Sequence, residues 1–264
     1  MKVAKVSLLT HHKAEVLTGP RMLYRTLLGI ALMAGQQLTG ANFFFYYGTS
    51  IFAATGMSNA YITSIILGSV NVAATVVGIA VGSYCGKRRS LMVGAACMFV
   101  CLCVFSFVGH FALNHVDPSK TPAAGSLMIV FTCLFIAAFA TTWGPLVWAV
   151  VGELYPARYR ATCVALATSS NWLLNFLISF FSPYITGAIG YLYGLVFGAC
   201  CFGLIFVVYF FVIESNGRSL EEIDTMYVQH VDPKKSAKWQ PDRQESFASS
   251  GTSVEEKAES IAEA

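Results

Sequence analysis

The sequence has little charge. Charged residues make up 12% of the 264 residues and hydrophobic residues 56%, whereas a soluble domain carries roughly twice that charged fraction. Four long stretches contain no charged residue at all, namely 26–86, 90–116, 121–152 and 161–213. Because one apolar helix needs about 20 residues to cross a bilayer, the first and last stretches allow two crossings each and the others one each. The sequence therefore predicts an all-α membrane protein with six transmembrane helices.

Several kinds of functional site are absent as well. No Asp or Glu lies within the predicted spans, which argues against an intramembrane proton or cation relay. The eight cysteines show no zinc-site spacing, so we interpret them as small packing residues. The sequence also contains no nucleophile with a base, no phosphate-binding glycine loop and no signal peptide. We therefore expect no enzyme activity, no catalytic residue, no cofactor, no metal site and no nucleic-acid partner.

Hydrophobicity divides the chain into three parts. A cytoplasmic lead-in is predicted for residues 1–21, a six-helix transmembrane bundle for 22–213, and a polar cytoplasmic tail with a short helix for 214–264. The predicted spans are 22–53, 61–84, 91–111, 127–151, 162–185 and 191–213.

The basic residues are distributed unequally over the predicted loops. Sixteen of the 17 Lys and Arg residues lie before the first span, after the second and fourth spans, or after the sixth, and Lys120 alone lies on the other side. Cytoplasmic loops carry an excess of Lys and Arg. Both termini are therefore predicted to be cytoplasmic, which requires an even number of spans.

Polar side chains interrupt the first span. Gln36, Gln37 and Asn42 lie there between apolar segments, and Gly35 and Gly40 allow the helix to unwind locally. Polar groups within a span face the bundle interior or a wet cavity, because they are costly without partners. Two interpretations follow equally from this segment: the amides line the path of a polar substrate, or they form hydrogen bonds that hold helices together.

The fifth span contains a second polar set, and the fourth contains an aromatic one. Asn171 and Asn175 are four residues apart and share a helix face. Pro145 lacks a backbone donor and predicts a kink near Trp148. A ring beside amides suits a sugar, since amides bond hydroxyls and the ring packs on the C–H face. The alternatives are an interfacial aromatic role for Trp148 and a helix-linking role for Asn71.

Five motifs in this order resemble the C-terminal half, helices seven to twelve, of the sugar porter family within the major facilitator superfamily. They are QQLTGANFFFYYG (36–48), GKRR (86–89), GPLVWAVVGELYPARYRA (144–161), SSNWLLNF (169–176) and ESNGRSLEEID (214–224). The resemblance covers residues 15–239, and the aromatic segments ATTWGP and FFFYYGTSIF are most similar to fungal hexose transporters. It implies one half of a major facilitator fold.

The resemblance also implies residue roles by position. The implied substrate-binding residues are Gln36, Gln37, Asn42, Asn71, Trp148, Asn171 and Trp172. The implied extracellular gate consists of Tyr46 and Tyr47. The implied cytoplasmic ion-pair network, which locks the outward-facing state, consists of Arg88, Glu153, Arg158 and Glu214. From the residues alone, Glu153 is expected to pair with Arg158 or Arg160 at the inner edge, at under about 1 kcal/mol if exposed.

Three departures from the family pattern stand out. Ser83 and Tyr84 replace the acidic residue expected before the GKRR turn. The exit motif begins with Ile213 instead of proline and has Asn216 instead of lysine. The third departure is length, because the family has twelve spans and places its substrate site between two halves. The chain is therefore expected to be a truncated product that lacks an N-terminal half.

These features together predict transport of a glucose-type hexose by alternating access. The expected partners are the hexose, the lipid bilayer and a missing N-terminal half, and the expected location is the plasma membrane. Two alternatives stay open. The first is a sugar sensor or receptor that signals through its tail, and the second is a non-transporting fragment that needs a partner half.

Overall fold

Helices account for nearly all of the described chain. The computed structural model describes residues 19, 21–53, 60–113 and 121–240. We number its α-helices α1 (Met22–Leu38), α2 (Ala41–Ala53), α3 (Ala60–Cys85), α4 (Lys87–Phe107), α5 (Pro122–Thr141), α6 (Trp143–Glu153), α7 (Arg160–Ile189), α8 (Tyr193–Phe211) and α9 (Leu220–Val228). A π-helical turn (Val108–Ala112) continues α4, and a 3-10 turn (Gly190–Leu192) joins α7 to α8. The predicted all-α fold is confirmed.

Gly40 separates α1 from α2. Its φ of +88° lies in a region that residues with a Cβ rarely adopt. A Cβ at this position would also lie 2.6 Å from the ring of Phe197. Both conformation and space therefore require glycine, and the interruption predicted within the first span is present.

Four helical stretches within the described ranges are long and apolar enough to cross a membrane: Ser64–Cys85, Lys87–Ala112, Ala123–Glu153 and Arg160–Phe211. The last stretch has 52 residues and contains both α7 and α8. Helices α1 and α2 have 17 and 13 residues, so each alone is shorter than the about 20 residues that a crossing needs. Six spans therefore stay a prediction, in which α1 and α2 cross together and α7 and α8 cross separately.

The core lies between helices that are distant in sequence. Helix α4 packs mainly on α8 and α5, α1 packs on α7, and α3 packs on α5. The buried ring of Phe44 lies 5.1 Å from the rings of both Phe105 and Phe135. Outward-facing positions of α3 carry exposed apolar side chains such as Val72 and Val76. Such a surface suits lipid rather than water, because apolar area exposed to water is unfavourable.

One connection is shorter than predicted, and the short helix predicted in the tail is present. The loop predicted over 112–126 is shorter, since α5 begins at Pro122, and proline is well tolerated in the first helical turn; residues 114–120 lie outside the described residues. The predicted short helix of the tail is α9, whose start is fixed by a capping box between Ser219 and Glu222. The Ser219 hydroxyl accepts from the Glu222 N–H at 3.2 Å.

Gly78 brings α3 and α5 into close contact, and its replacement tests this packing. A Cβ there would lie 2.8 Å from the Cα and carbonyl oxygen of Thr141, and backbone atoms cannot rotate away. We expect Gly78→Ala to lower the free energy of unfolding by about 1–3 kcal/mol, measured by denaturation in detergent. Gly68→Ala on the same helix is the matched control, because no atom lies within 4 Å of its added Cβ. Equal losses in both variants would contradict this account.

Candidate functional site

A cavity of about 380 Å³ opens where α1, α2, α6 and α7 meet. This volume lies within the range of small-molecule sites, about 300–1,000 Å³. Its lining residues are Gln36, Gln37, Ala41, Asn42, Tyr46, Phe139, Gly144, Trp148, Asn171, Trp172 and Asn175. Six of the seven predicted substrate-binding residues therefore lie together, and Asn71 is the exception.

The break at Gly40 positions the first group of amides. Gln36 and Gln37 lie in the last turn of α1, and Asn42 lies in the first turn of α2. The Gln37 Nε2 group donates to Asn171 Oδ1 at 2.8 Å, and Asn42 Nδ2 donates to Gln37 Oε1 at 2.6 Å. These side chains from α1, α2 and α7 therefore form one hydrogen-bonded cluster.

Gln36 connects this cluster to the start of α6. Its Nε2 donates to the carbonyl oxygens of Trp143 and Gly144 at 2.8 and 3.0 Å, and its Oε1 accepts from Asn171 at 2.9 Å. The helix is broken at Thr142, where φ is −126° and ψ is −81°, so the predicted kink near Pro145 is present. The side chain of Gln36 is 6% exposed. Its helix-linking role is therefore visible in the structure, and its contact with sugar stays a prediction.

Aromatic side chains form the open edge of the cavity. The side chains of Trp148 and Trp172 are 43% and 64% exposed. The Tyr46 hydroxyl donates to Asn175 Oδ1 at 3.2 Å, which places it at the cavity. The Tyr47 hydroxyl instead donates to the carbonyl oxygen of Ser179 at 2.7 Å and holds α2 against α7. A gating role for the two tyrosines stays a prediction.

For two asparagines, the cavity lining differs from the substrate-binding residues predicted from the sequence. Asn71 lies half-buried on α3 and is not among the residues that line the cavity. Asn175 does line it, and its Oδ1 accepts from both Asn42 and Tyr46, although the motif resemblance did not assign it to the site. Its four-residue spacing from Asn171 was the available signal, because residues at that spacing share a helix face.

The cavity lining is neutral. It combines five amide side chains with aromatic rings, and none of its residues carries a charge. Amide groups can both donate and accept hydrogen bonds, and ring faces can pack against C–H groups. This combination suits an uncharged polyhydroxyl ligand and disfavours a charged one, which would lose hydration without a countercharge.

A second polar cluster joins the start of α4 to the ends of α6 and α8. The Lys87 ammonium group forms an ion pair with Glu153, and the Ser215 hydroxyl donates to Glu153 Oε2 at 2.7 Å. Glu214 Oε1 accepts from the Lys87 backbone N–H at 3.0 Å. A Cβ on Gly86 would lie 2.8 Å from Glu214 Oε2, so glycine at this turn allows the carboxylate to approach.

The basic partner of Glu153 is thus Lys87 rather than the expected Arg158 or Arg160. The Arg160 guanidinium donates to the carbonyl oxygen of Tyr155 at 3.2 and 3.3 Å, and Arg158 lies over the ring of Tyr159 at 5.3 Å. The expectation failed because it considered neighbours in sequence, whereas folding brings the start of α4 to the end of α6. A network role for Arg158 stays a prediction.

Arg88, also predicted for this network, contacts the end of α8. Its Nη2 donates to the carbonyl oxygen of Tyr209 at 2.6 Å, and its guanidinium lies 5.4 Å from the Tyr209 ring centroid. Cations are favourable near helix C-termini, where carbonyl groups lack helical partners. This contact ties α4 to α8, and a locking role for Arg88 and Glu214 stays a prediction.

Arg25 forms a further ion pair that sequence reasoning missed. Its side chain is 1% exposed and donates to Asp224 Oδ1 at 2.5 Å and to the Asp224 carbonyl oxygen at 3.1 Å. Its guanidinium lies 4.6 Å from the ring centroid of Tyr227. Burial raises the pKa of the Tyr227 phenol, which therefore stays neutral. Arg25 thus fixes α9 against the start of α1.

The fold and these motifs match a known family. The family described as "Sugar (and other) transporter" matches residues 2–227. The chain therefore belongs to the sugar transporter family, whose members are membrane transporters rather than enzymes. A multi-pass membrane protein follows from this family and from the apolar helices.

Similar curated proteins include fungal hexose transporters. The chain is 46% identical over 218 residues to the "Probable high-affinity hexose transporter ght7" of Schizosaccharomyces pombe, covering 83% of this chain and 41% of that one. It is 46% identical over 230 residues to the "Low-affinity glucose transporter HXT1" of Saccharomyces cerevisiae, covering 86% and 40%. The chain thus spans about two fifths of the length of these relatives.

Solved structures confirm the fold. The major facilitator superfamily proton:xylose symporter XylE, bound to 6-bromo-6-deoxy-D-glucose, matches with a TM-score of 0.68 at 22% identity, covering 85% of this chain and 48% of that one. The inward-open xylose transporter XylE from E. coli matches with a TM-score of 0.67. The described helices therefore correspond to about half of a major facilitator fold.

Proposed function

We propose that this chain forms the C-terminal wall of a hexose site in an alternating-access transporter. The neutral cavity carries this proposal, because it places five amides and two tryptophans together at the break between α1 and α2. The names of the fungal relatives support hexose as the substrate class. An N-terminal half is the proposed partner, because the chain covers 48% of the length of XylE.

The proposed contacts follow from the chemistry of a pyranose. Its hydroxyl groups exchange hydrogen bonds with Gln37, Asn42 and Asn175, whose side chains line the cavity. One ring face packs on Trp148, whose exposed side chain borders the same cavity. Gln36 and Asn171 hold this surface together through buried hydrogen bonds. Asn71 is retained as a proposed contact that requires the partner half or another conformational state.

The proposed topology places both termini in the cytoplasm and the protein in the plasma membrane. The unequal distribution of Lys and Arg supports this orientation. The ion pairs of Arg25 and Lys87 then lie on the cytoplasmic side, at the ends of α1 and α4. In alternating access, one half rocks against the other around a site near the membrane centre.

Sugar uptake tests the proposed function directly. The chain would be expressed in yeast that lacks hexose transporters, either alone or with the N-terminal half of the Schizosaccharomyces pombe relative. We expect saturable uptake of radiolabelled glucose with both halves and none with either half alone. Uptake by this chain alone would refute the need for a partner half, and no uptake with a correctly inserted pair would refute the transport proposal.

Competition by sugar derivatives tests the chemistry of the site. Unlabelled glucose should inhibit uptake, whereas glucose 6-phosphate should not, because the described lining offers no charge to compensate the phosphate. The measurement is inhibition of labelled uptake in inside-out and right-side-out vesicles, so that access to both sides is equal. Inhibition by the phosphate ester at similar concentration would contradict the neutral site.

A further inference from the structure

Two polar groups of the cavity have no hydrogen-bond partner within the described residues. Of the five amide side chains that line the cavity, four use their oxygen as an acceptor and four use their NH2 group as a donor. The exceptions, within the ranges that the structure describes, are Oδ1 of Asn42 and the NH2 group of Asn175. Both groups are therefore available to a ligand in the cavity.

The orientation of the Asn175 amide is fixed by its neighbours on α2. The Asn42 Nδ2 group donates to Gln37 Oε1 at 2.6 Å and to Asn175 Oδ1 at 3.3 Å. Because an NH2 group needs an acceptor opposite it, Asn175 must present its oxygen to Asn42, and its own NH2 group points away from this contact. The Tyr46 hydroxyl donates to the same Asn175 oxygen at 3.2 Å, which holds α2 against α7 in this orientation.

The available oxygen and the available NH2 group lie on neighbouring side chains. Asn42 and Asn175 are joined by a hydrogen bond, and both line the cavity, so a single ligand can contact the two residues together. Linking of helices does not account for these groups, because it uses the opposite end of each amide. An amide oxygen only accepts and an NH2 group only donates. A matching ligand therefore offers one hydrogen-bond donor next to one acceptor.

We infer that Asn175 is a specificity-determining residue of the proposed hexose site: its NH2 group donates to one sugar hydroxyl, while Asn42 Oδ1 accepts from the adjacent hydroxyl. This inference rests on the proposed function and adds a direction to each contact. Adjacent hydroxyl groups of a pyranose suit this pair, since each hydroxyl can donate or accept. The hydroxyl at Asn42 must supply a hydrogen, whereas the group at Asn175 needs only lone pairs. Fluorine has lone pairs but no hydrogen, so it distinguishes the two contacts.

Competition by modified glucoses tests the inference without a change in the protein. The full chain is expressed with the N-terminal half of the Schizosaccharomyces pombe relative, and inhibition constants are measured against uptake of radiolabelled glucose. The inhibitors are glucoses in which one hydroxyl group, each in turn, is replaced by hydrogen or by fluorine. At one position we expect the deoxy sugar to bind about three- to tenfold more weakly than glucose, and the fluoro sugar to recover about threefold of this loss. At an adjacent position both replacements should weaken binding, with no recovery by fluorine.

The variant Asn175→Asp tests whether Asn175 causes the fluorine preference. Aspartate has nearly the same shape and keeps an oxygen for Asn42 and Tyr46, but its second oxygen cannot donate when ionised. The fluoro sugar should then bind no better than the deoxy sugar at the first position. Tyr46→Phe is the control, because it removes a contact of the Asn175 oxygen and leaves the NH2 group, so it should retain the fluorine preference. A purely structural loss would lower uptake without changing the ratio of the two inhibition constants.

The outcomes separate this inference from the proposed function. If glucose is taken up but no position prefers fluorine over hydrogen, the inference is wrong and hexose transport stands. A fluorine preference that survives in Asn175→Asp would overturn it as well. Asn175→Leu, which also lacks a donor, gives the same test if the aspartate variant is not inserted. No glucose uptake by a correctly inserted, unchanged pair would refute the proposed function and this inference together.

Discussion

Replacing Gln37 with alanine is expected to raise the KM for hexose about tenfold in a transporter assembled from this chain and an N-terminal half. Gln37 donates to Asn171 at 2.8 Å and accepts from Asn42 at 2.6 Å, so its loss removes a sugar contact and releases Asn42 from its position. One lost hydrogen bond costs about 0.5–1.5 kcal/mol, and a tenfold change corresponds to about 1.4 kcal/mol. The measurement is concentration-dependent uptake of radiolabelled glucose.

Ser169→Ala is the matched control for Gln37→Ala. Ser169 is exposed on α7, and its hydroxyl donates to the carbonyl oxygen of Ala165 within the same helix at 2.9 Å. The control should leave KM unchanged, and surface amounts of both variants should be equal. An unchanged KM in Gln37→Ala would remove Gln37 from the proposed substrate contacts.

Replacing Asp224 with alanine is expected to lower the free energy of unfolding by about 1–3 kcal/mol. The substitution leaves the buried Arg25 guanidinium without its carboxylate partner at 2.5 Å. Breaking a buried ion pair costs about 3–5 kcal/mol, and we reduce this value because the side chain of Asp224 is 41% exposed and water can replace part of the lost interaction. The measurement is chemical unfolding in detergent, followed by circular dichroism.

A double variant tests whether the loss of stability comes from the buried charge of Arg25 or from the change made in α9. In the double variant Arg25→Met with Asp224→Ala, the buried cation is absent, so the loss should be smaller than in Asp224→Ala alone. Glu221→Ala controls for the loss of a carboxylate from α9, because Glu221 is exposed in the first turn. Its effect on the free energy of unfolding should stay within about 0.5 kcal/mol. A double variant less stable than Asp224→Ala would contradict the ion-pair account.

The helix pattern and the break in the first span could be predicted from the sequence. Both depend on local chemistry. Long apolar stretches favour helices in a membrane, and Gly40 beside polar residues favours an interruption. The grouping of Gln36, Gln37 and Asn42 with Asn171 also followed from ordered motifs, because the motif resemblance fixed which helices face each other. The cavity contains all four residues.

Ion pairs between residues far apart in sequence could not be predicted in the same way. The sequence offers Arg158 and Arg160 as nearby partners for Glu153, whereas helix packing selects Lys87. The pair of Arg25 and Asp224 joins residues 199 positions apart, so no local pattern indicates it. For Asn71, the motif resemblance predicted a contact that this structure does not show. It assigned Asn71 to the substrate site, but Asn71 is not among the residues that line the cavity.

The orientation of the amide groups in the cavity follows from backbone carbonyls at one end of the cluster. Carbonyl oxygens of Trp143 and Gly144 can only accept, so Gln36 must present its NH2 group to them, and its oxygen must accept from Asn171. Asn171 then has its oxygen free to accept from the NH2 group of Gln37. The oxygen of Gln37 in turn accepts from the NH2 group of Asn42. Each amide in the series therefore donates towards the carbonyls at the start of α6, and the side-chain oxygen of Asn42 is the acceptor at the opposite end of the series. On the proposed function, a sugar hydroxyl at this end would meet an acceptor, and the hydrogen bonds of the cluster would strengthen one another because successive hydrogen bonds polarise one another.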